Sequence, residues 1–309
     1  MKALFYGYKK LKLIFPYRTH RMKKFNKKPF FIIGSGRSGN TLLRRILNNN
    51  SDIFIPPETY ILGEIITDYI TLNGLKWEKL VGVVYGKFEY HPQFNTFNMG
   101  SLYPLVQEMT NLPKKDRALD ILIDNFYKYY AKKHHIQKPF WGDKTPLNTF
   151  HLNKIDLVFP DAKYIHLIRN PYDCIYSYVN SGIYLDYNIA AQRWIHSIKK
   201  ARTFGKKRKN NYLEIRYENL VREPQRVISL ICEFLNVKYE SSMLHITENP
   251  LGDVERLSHH ANVQTPISDK NIGKGKKNLS SREIRDIDKI LLKNKKFIQD
   301  LIKEIKIQE

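Results

Sequence analysis

The stretch Gly34-Ser35-Gly36-Arg37-Ser38-Gly39-Asn40-Thr41 packs three glycines, three hydroxyls and a cation into eight positions, directly after the apolar run Phe30–Ile33. Glycines let backbone N–H groups approach an anion, and a helix starting at the end of such a loop aims its positive end at the same point. That chemistry is phosphate binding. In a Walker A loop the position held here by Asn40 carries a lysine that neutralises the β- and γ-phosphates, and here the positive charge lies upstream at Arg37. The loop therefore argues against ATP or GTP hydrolysis. A second cation, Arg169, ends the apolar run Tyr164–Ile168 where a magnesium-binding aspartate could stand. Asn170 as cap and Pro171 as first residue start a helix there, and Ser177, eight residues after Arg169, falls about two turns into it. The guanidinium and the hydroxyl can hold one phosphate together without a metal. A plainer reading pairs Arg169 with Asp173 and packs Ser177 against a neighbouring helix.

These groups need a scaffold. Apolar runs at Phe30–Ile33, Ile53–Ile55, Phe140–Trp141, Tyr164–Ile168 and Tyr212–Arg216 read as strands. Helical periodicity follows at Thr41–Leu47, Glu58–Thr71, Leu75–Val84, Pro113–His134, Leu152–Phe159, Tyr187–Phe204 and Gln225–Leu235. Glu58 falls in the first turn of its helix, where a carboxylate also suits the dipole. Tyr85–Met99, with Gly86, Pro92 and several asparagines, reads as a loop, and aromatics between Tyr60 and Tyr103 are candidates to line an acceptor cleft. Ser280 and Glu283 form a capping box for a last helix, about 280–305. Alternating strands and helices predict an α/β fold, a three-layer α/β/α sandwich with a central parallel sheet. Residues 29–309 form one domain, with 248–278 folding back as a lid and residues 1–28 forming a basic arm.

The charge is the compositional outlier: 52 Lys+Arg against 30 Asp+Glu leave +22 over 309 residues. An anionic partner is implied, whether nucleic acid, membrane surface or a phosphorylated or sulfated small molecule. The arm carries Lys2, Lys9, Lys10, Lys12, Arg18, Arg21, Lys23, Lys24, Lys27 and Lys28 with no carboxylate, and mixes them with Leu4, Phe5, Tyr8, Leu11 and Phe15. The plainer reading is a basic, loosely ordered arm; the alternative is a segment that lies flat on an anionic membrane. No run matches a signal peptide or a bilayer span, so a cytoplasmic location is expected, peripheral at the inner membrane face if the arm docks. Cys174 and Cys232 sit in apolar runs and read as buried thiols. His134-His135 and His259-His260 are adjacent pairs with no third ligand, so no metal site is expected.

Taken together, the motifs resemble the PAPS-dependent sulfotransferases, enzymes that move a sulfuryl group from 3′-phosphoadenosine-5′-phosphosulfate (PAPS), and within them the branch of tyrosylprotein sulfotransferases and many bacterial enzymes. The resemblance runs from Phe30 to Ser280 and implies a P-loop fold. It implies that Gly36, Arg37, Ser38, Gly39, Asn40 and Thr41 hold the 5′-phosphosulfate, and that Arg169 and Ser177 hold the 3′-phosphate. Tyr217-Glu218-Asn219-Leu220 resembles the family's Tyr-Glu-Asp/Asn-Leu motif, and Gly273, Lys274 and Lys276 resemble the late basic loop covering the 3′-phosphate. Glu58-Thr59, 21 residues after Arg37, matches the catalytic base of the tyrosylprotein branch, and Asp143-Lys144-Thr145-Pro146 the segment whose lysine approaches the sulfuryl group. Two positions depart: Asn40 replaces a threonine, leaving an amide to donate to the sulfonate, and Gly275 stands where a tryptophan is common.

The resemblance implies an in-line transfer to a hydroxyl, with Glu58 as base and Arg37 and Lys144 stabilising the transferring group and leaving oxygen; fold and donor site do not encode the acceptor, and the expected cytoplasmic location suits a glycan, glycolipid or small molecule. The transfer needs PAPS, releases 3′-phosphoadenosine-5′-phosphate (PAP), and uses no metal. A protein tyrosine is an alternative acceptor. Two other classes stay open at this point. A P-loop small-molecule kinase would share the cradle, and a basic nucleic-acid-binding protein would share the charge, although no recognition helix or RNA-binding signature is present.

Overall fold

The computed structural model describes residues 20–24, 28–245 and 266–307. In chain order the elements are β1 (Phe30–Ile33), α1 (Asn40–Asn48), β2 (Ile53–Phe54), α2 (Leu62–Thr71), α3 (Trp77–Glu89), α4 (Tyr103–Thr110), α5 (Leu119–Lys133) and β3 (Phe140–Lys144). There follow α6 (Leu152–Val158), β4 (Lys163–Ile168), α7 (Pro171–Asn180), α8 (Tyr187–Gly205) and β5 (Tyr212–Arg216). The last are α9 (Tyr217–Arg222), α10 (Pro224–Leu235), α11 (Lys274–Asn278), α12 (Ser281–Lys293) and α13 (Lys295–Ile307). Short 3-10 turns join several of these, among them Pro146–Phe150 after β3.

The five strands form one sheet in the order β2-β3-β1-β4-β5, with every pairing parallel. The parallel α/β architecture expected from the alternating pattern is what the chain adopts. Phe30 lies opposite Gly142 and Lys163, and Ile32 opposite Lys144 and Ile165. Because all strands point the same way, the segments following β1, β3, β4 and β5 emerge at one edge, where open α/β sheets bind ligands. Gly34–Thr41, Lys144, Arg169 and Tyr217 are thereby gathered from 184 residues of chain (34 to 217).

Side chains alternating along β1 feed two cores. Phe30 and Ile32 pack with Leu43, Ile46 and Leu47 of α1 and with Val227, Ile228 and Ile231 of α10. Phe31 and Ile33 face Tyr127, Trp141, Phe159 and Tyr164 in the larger core built on α2–α6. All four β1 residues are fully buried, each worth roughly 1.5–3 kcal/mol, so the strand that launches the glycine loop is firmly held. A third core joins Ile168, Ile175, Trp194, Ile287 and Ile298, tying α7, α8, α12 and α13 together.

Several expectations need correction. Packed chain begins before Pro29: Met22 is buried, Arg21 bridges Ala118, and the Lys24 amide donates to both Asp120 oxygens at 3.0 Å. The helix reaches Glu89 through what reads as a loop, because Gly82 and Gly86 face open space while Val84, Tyr85 and Phe88 are buried. Most aromatics expected at a cleft, namely Tyr69, Trp77, Tyr85, Phe88 and Phe97, are instead core. The helix expected from Pro113 starts at Leu119, and the last helix is two, α12 and α13. The Ser280–Glu283 capping box is formed, as is the Asn170 cap, whose side chain accepts from the Tyr172 amide. Residues 246–265, including His259-His260 and much of the expected lid, and arm residues 1–19 lie outside the described residues.

Candidate active site

The glycine loop is wound through left-handed backbone at Arg37 (φ 63°) and Gly39 (φ 94°). Gly39 is obligatory for a second reason: a Cβ there would stand 2.5 Å from the Tyr217 ring. It caps α1 with no side-chain bond, and the first turn of α1 has no acidic residue. The first amides of that helix, without partners inside it, are left for an anion. The loop's side chains are occupied in holding its shape. Ser35 Oγ bonds Tyr178 Oη at 3.0 Å, Ser38 Oγ lies 3.3 Å from Cys174 Sγ, and Thr149 Oγ1 both accepts from Gly34 N and donates to Gly34 O. The Asn40 amide, expected to face a sulfonate, donates to Ser35 O at 2.9 Å and so closes the loop.

Two arginines meet at one end of this cradle. Arg37 donates through Nε to Ser177 Oγ at 3.0 Å, and Arg169 donates through Nη1 to Arg37 O at 3.2 Å. Burial pushes the pKa of Arg37 below its ordinary value, and the neighbouring Arg169 guanidinium adds to the effect. Arg169 is 9% exposed, lies over the Tyr217 ring at 4.6 Å, and has a buried Nε with no hydrogen-bond partner. Two nearby, mostly buried cations with a spare donor fit a dianionic phosphate. Asp173 approaches Arg169 only to 3.9 Å. Its oxygens are spent on the amides of Gly273 (2.9 Å) and Gly275 (2.7 Å).

Those amides belong to the returning C-terminal segment. Asn271 O accepts from Arg169 Nη2 at 2.6 Å, and Lys276 lies over the Tyr172 ring. Gly275 has no room for any side chain, since a Cβ would stand 2.2 Å from the backbone of Tyr172. The absence of tryptophan at this position thus has a local cause. The Glu218 carboxylate accepts from the Asn170 amide at 2.9 Å, which explains why the Tyr217-Glu218 pair follows β5 beside Arg169.

At the helix end of the cradle, Lys144 is 2% exposed and forms an ion pair with Glu58, which is 14% exposed; its Nζ also lies 3.4 Å from Thr41 Oγ1. Glu58 does not sit in a helical turn as expected, because α2 starts only at Leu62. Thr59 is clamped to β3 instead: its amide donates to Thr145 Oγ1 at 3.0 Å and its hydroxyl to Asp143 Oδ2 at 2.9 Å. Tyr60 then takes a left-handed φ of 59° and stacks on His91 at 5.4 Å. Asp143, which also accepts from Tyr127 Oη and Asn148 Nδ2, has its pKa raised by burial. Among the described residues no group of three or more His, Cys, Asp or Glu is placed to hold a metal.

The cradle, its cations and the carboxylate–lysine pair converge at one sheet edge, and sequence comparison agrees with that geometry. The model of the Sulfotransferase family matches residues 29–241. The chain belongs to this family. Among similar proteins, this sulfotransferase is 25% identical over 245 residues to a protein-tyrosine sulfotransferase of Drosophila melanogaster, covering 74% of this chain and 43% of that one. It is 21% identical over 224 residues to protein-tyrosine sulfotransferase 1 of Danio rerio, covering 71% and 56%. The chain thus spans about half the length of these relatives. In fold it resembles the sulfotransferase domain of the Synechococcus PCC 7002 olefin synthase, with TM-score 0.61, 21% identity, and coverage of 88% of this chain and 96% of that one. It also resembles the sulfotransferase domain from the curacin biosynthetic pathway, with TM-score 0.54, 24% identity, and coverage of 86% and 96%.

The sulfotransferase's loop, Arg169, Ser177, Tyr217 and Gly273 thus adjoin one another, while Glu58 and Lys144 meet at Thr41. Sequence reasoning missed Asp173 as the anchor of the C-terminal segment, and Asp143, Thr145 and Tyr127 as the clamp behind Glu58. Asp143 and Thr145 flank Lys144 in the Asp143–Pro146 segment, and that adjacency is the available signal.

Proposed function

We propose that this sulfotransferase moves the sulfuryl group of PAPS to an acceptor hydroxyl, with Glu58 as general base. The observation that carries this is the Glu58–Lys144 pair at Thr41, set beside a phosphate loop that has lost the ATPase lysine and is served by Arg37 and Arg169. The acceptor oxygen attacks sulfur, its proton passes to Glu58, and the sulfur–oxygen bond to the 5′-phosphate breaks. Negative charge then grows on the leaving bisphosphate oxygen, where Lys144 stabilises it with Arg37. Arg169 and Ser177 hold the 3′-phosphate, and the segment Asn271–Lys276, with Gly273, Lys274 and Lys276, closes over it. Family membership sets aside the kinase reading.

For the acceptor, we favour a hydroxyl of a glycan, glycolipid or small molecule, reached from the cytoplasmic side with the basic arm against an anionic membrane. A protein tyrosine is the second reading, supported by the names of the relatives and by Glu58-Thr59 at the spacing of that branch. Among the described residues no helix is long and apolar enough to cross a membrane.

Calorimetric titration tests the donor assignment. PAP is expected to bind at micromolar levels, at least about tenfold tighter than 5′-AMP, because the 3′-phosphate gains a charge-assisted contact. Arg169→Ala erases that preference. Tighter binding of ATP with magnesium than of PAP overturns the reading.

A further inference from the structure

The turn Pro146–Phe150 leaves β3 directly after Lys144 and Thr145, and its Thr149 is bonded to Gly34 of the phosphate loop. On one side His151 packs against Gly63 of α2, the helix that follows Glu58; a Cβ on Gly63 would meet that ring at 2.2 Å. On the other side Phe150 is covered by the Arg193 guanidinium of α8 at 4.0 Å and met edge-on by His196 at 4.9 Å. One short turn therefore links the neighbourhood of Glu58 to Arg193. Arg193 also bears electrostatically on Tyr178, the residue that holds Ser35.

Arg193 is half-buried, and its Nε is a buried donor with no hydrogen-bond partner, a feature it shares with Arg169 of the donor site. Among the described residues no carboxylate pairs with it. Arg202, Arg208, Arg216 and Arg226, by contrast, each pair with Asp or Glu. The charged groups that bear on its neighbour His196 are Lys200, Arg193 and Lys199, all cationic. Contact with the Phe150 ring holds the guanidinium in place but gives its buried Nε–H no acceptor, since a ring face offers no lone pair. A half-buried arginine held against a ring face, with no carboxylate partner, is suited to receive an anion.

We infer that Arg193, held by Phe150, binds an oxyanion group (carboxylate, sulfate or phosphate) carried by the acceptor at a distance from its reacting hydroxyl. The inference rests on the sulfotransferase reading above and narrows it to anionic acceptors. The subsite would orient the acceptor while Glu58 takes the proton.

The test uses the full chain saturated with PAP, titrated with matched pairs: 4-hydroxyphenylacetate and 6-hydroxyhexanoate against their methyl esters, and glucose 6-phosphate against glucose. At least one charged member is expected to bind about tenfold or more tightly than its neutral partner. Arg193→Gln abolishes that preference, Arg193→Lys keeps part of it, and both bind PAP like the wild type, which shows that the fold and donor site are intact. Absence of a preference in every pair, including absence of binding, overturns the inference, as does a preference that survives in Arg193→Gln. Failure of the wild type to bind PAP refutes the donor reading itself, and the inference with it.

Discussion

Replacing Gly275 by alanine should open the C-terminal segment without touching a single charge. Its Cβ would stand 2.2 Å from the Tyr172 carbonyl carbon and 2.3 Å from the oxygen, and both are backbone atoms that cannot swing aside. Ordinary carbon contacts begin at about 3.5 Å, so α11 must retreat from α7 by about 1.3 Å. The bonds from Gly275 N and Gly273 N to Asp173, 2.7 and 2.9 Å long, would then exceed hydrogen-bonding reach. Each bond to a buried carboxylate is worth about 1.5–3 kcal/mol, but released amides recover water, so roughly 3 kcal/mol of docking free energy is lost in all. That corresponds to a drop of about 10²-fold in affinity for a ligand that needs the segment closed.

Calorimetry with PAP and 5′-AMP reads the effect. PAP should weaken by about two orders of magnitude, while 5′-AMP, which lacks the 3′-phosphate proposed to lie beneath this segment, changes little. The melting temperature should fall by only a few degrees, because the sheet core is untouched. A variant that melts cooperatively and binds PAP within threefold of wild type would refute the reasoning. Equal weakening of both nucleotides would show that the substitution damages the phosphate loop instead.

Three further outcomes follow from the same geometry. Glu58→Gln should lower kcat at least about 10²-fold with PAP affinity nearly unchanged, and retention of more than a hundredth of wild-type turnover in steady-state assays would remove Glu58 as the base. Ser177→Ala deletes the hydroxyl that accepts from Arg37 Nε and should raise the donor KM severalfold while sparing kcat; a kcat effect alone would place Ser177 elsewhere in the reaction. His166, fully buried with Nε2 unpartnered, has its pKa held below 6.5 by burial, although Glu214 opposes this. The unfolded imidazole then takes up a proton before the folded one, so stability is full above about pH 6.5 and falls by about 1.4 kcal/mol per unit as pH drops toward the folded pKa. The Glu214 carboxyl, depressed by its bonds to His166 and Arg202, contributes in the same sense but only below about pH 4.5. Melting curves between pH 7.5 and 5.5 should show at least this slope, since His91, His151 and His196 are lowered in the same sense, and His166→Gln should reduce it.

What could be read from the chain, and what could not, divides by how far the determinants lie apart. The glycine loop, the Asn170-Pro171 helix start and the Ser280–Glu283 capping box are decided within a few residues, and each took the form its local chemistry demands. The stretch after Glu58 reads as helix from its own residues, yet Asp143 and Thr145, 84 and 86 positions away, pull Thr59 into an extended clamp and delay the helix to Leu62. Gly86 reads as a breaker, but it lies on an open face of α3 whose other side is buried, so burial of Tyr85 and Phe88 carries the helix through. The fit of Gly275 is set by the backbone of Tyr172, 103 positions upstream. The same division explains the asymmetry between donor and acceptor. A parallel sheet delivers strand ends to one edge whatever the rest of the chain does, so residues next to those ends announce a phosphate site from sequence. The contact of Arg193 with Phe150, proposed above to serve the acceptor, depends on helix α8 packing against a turn 43 residues away, and only the folded chain brings the two together.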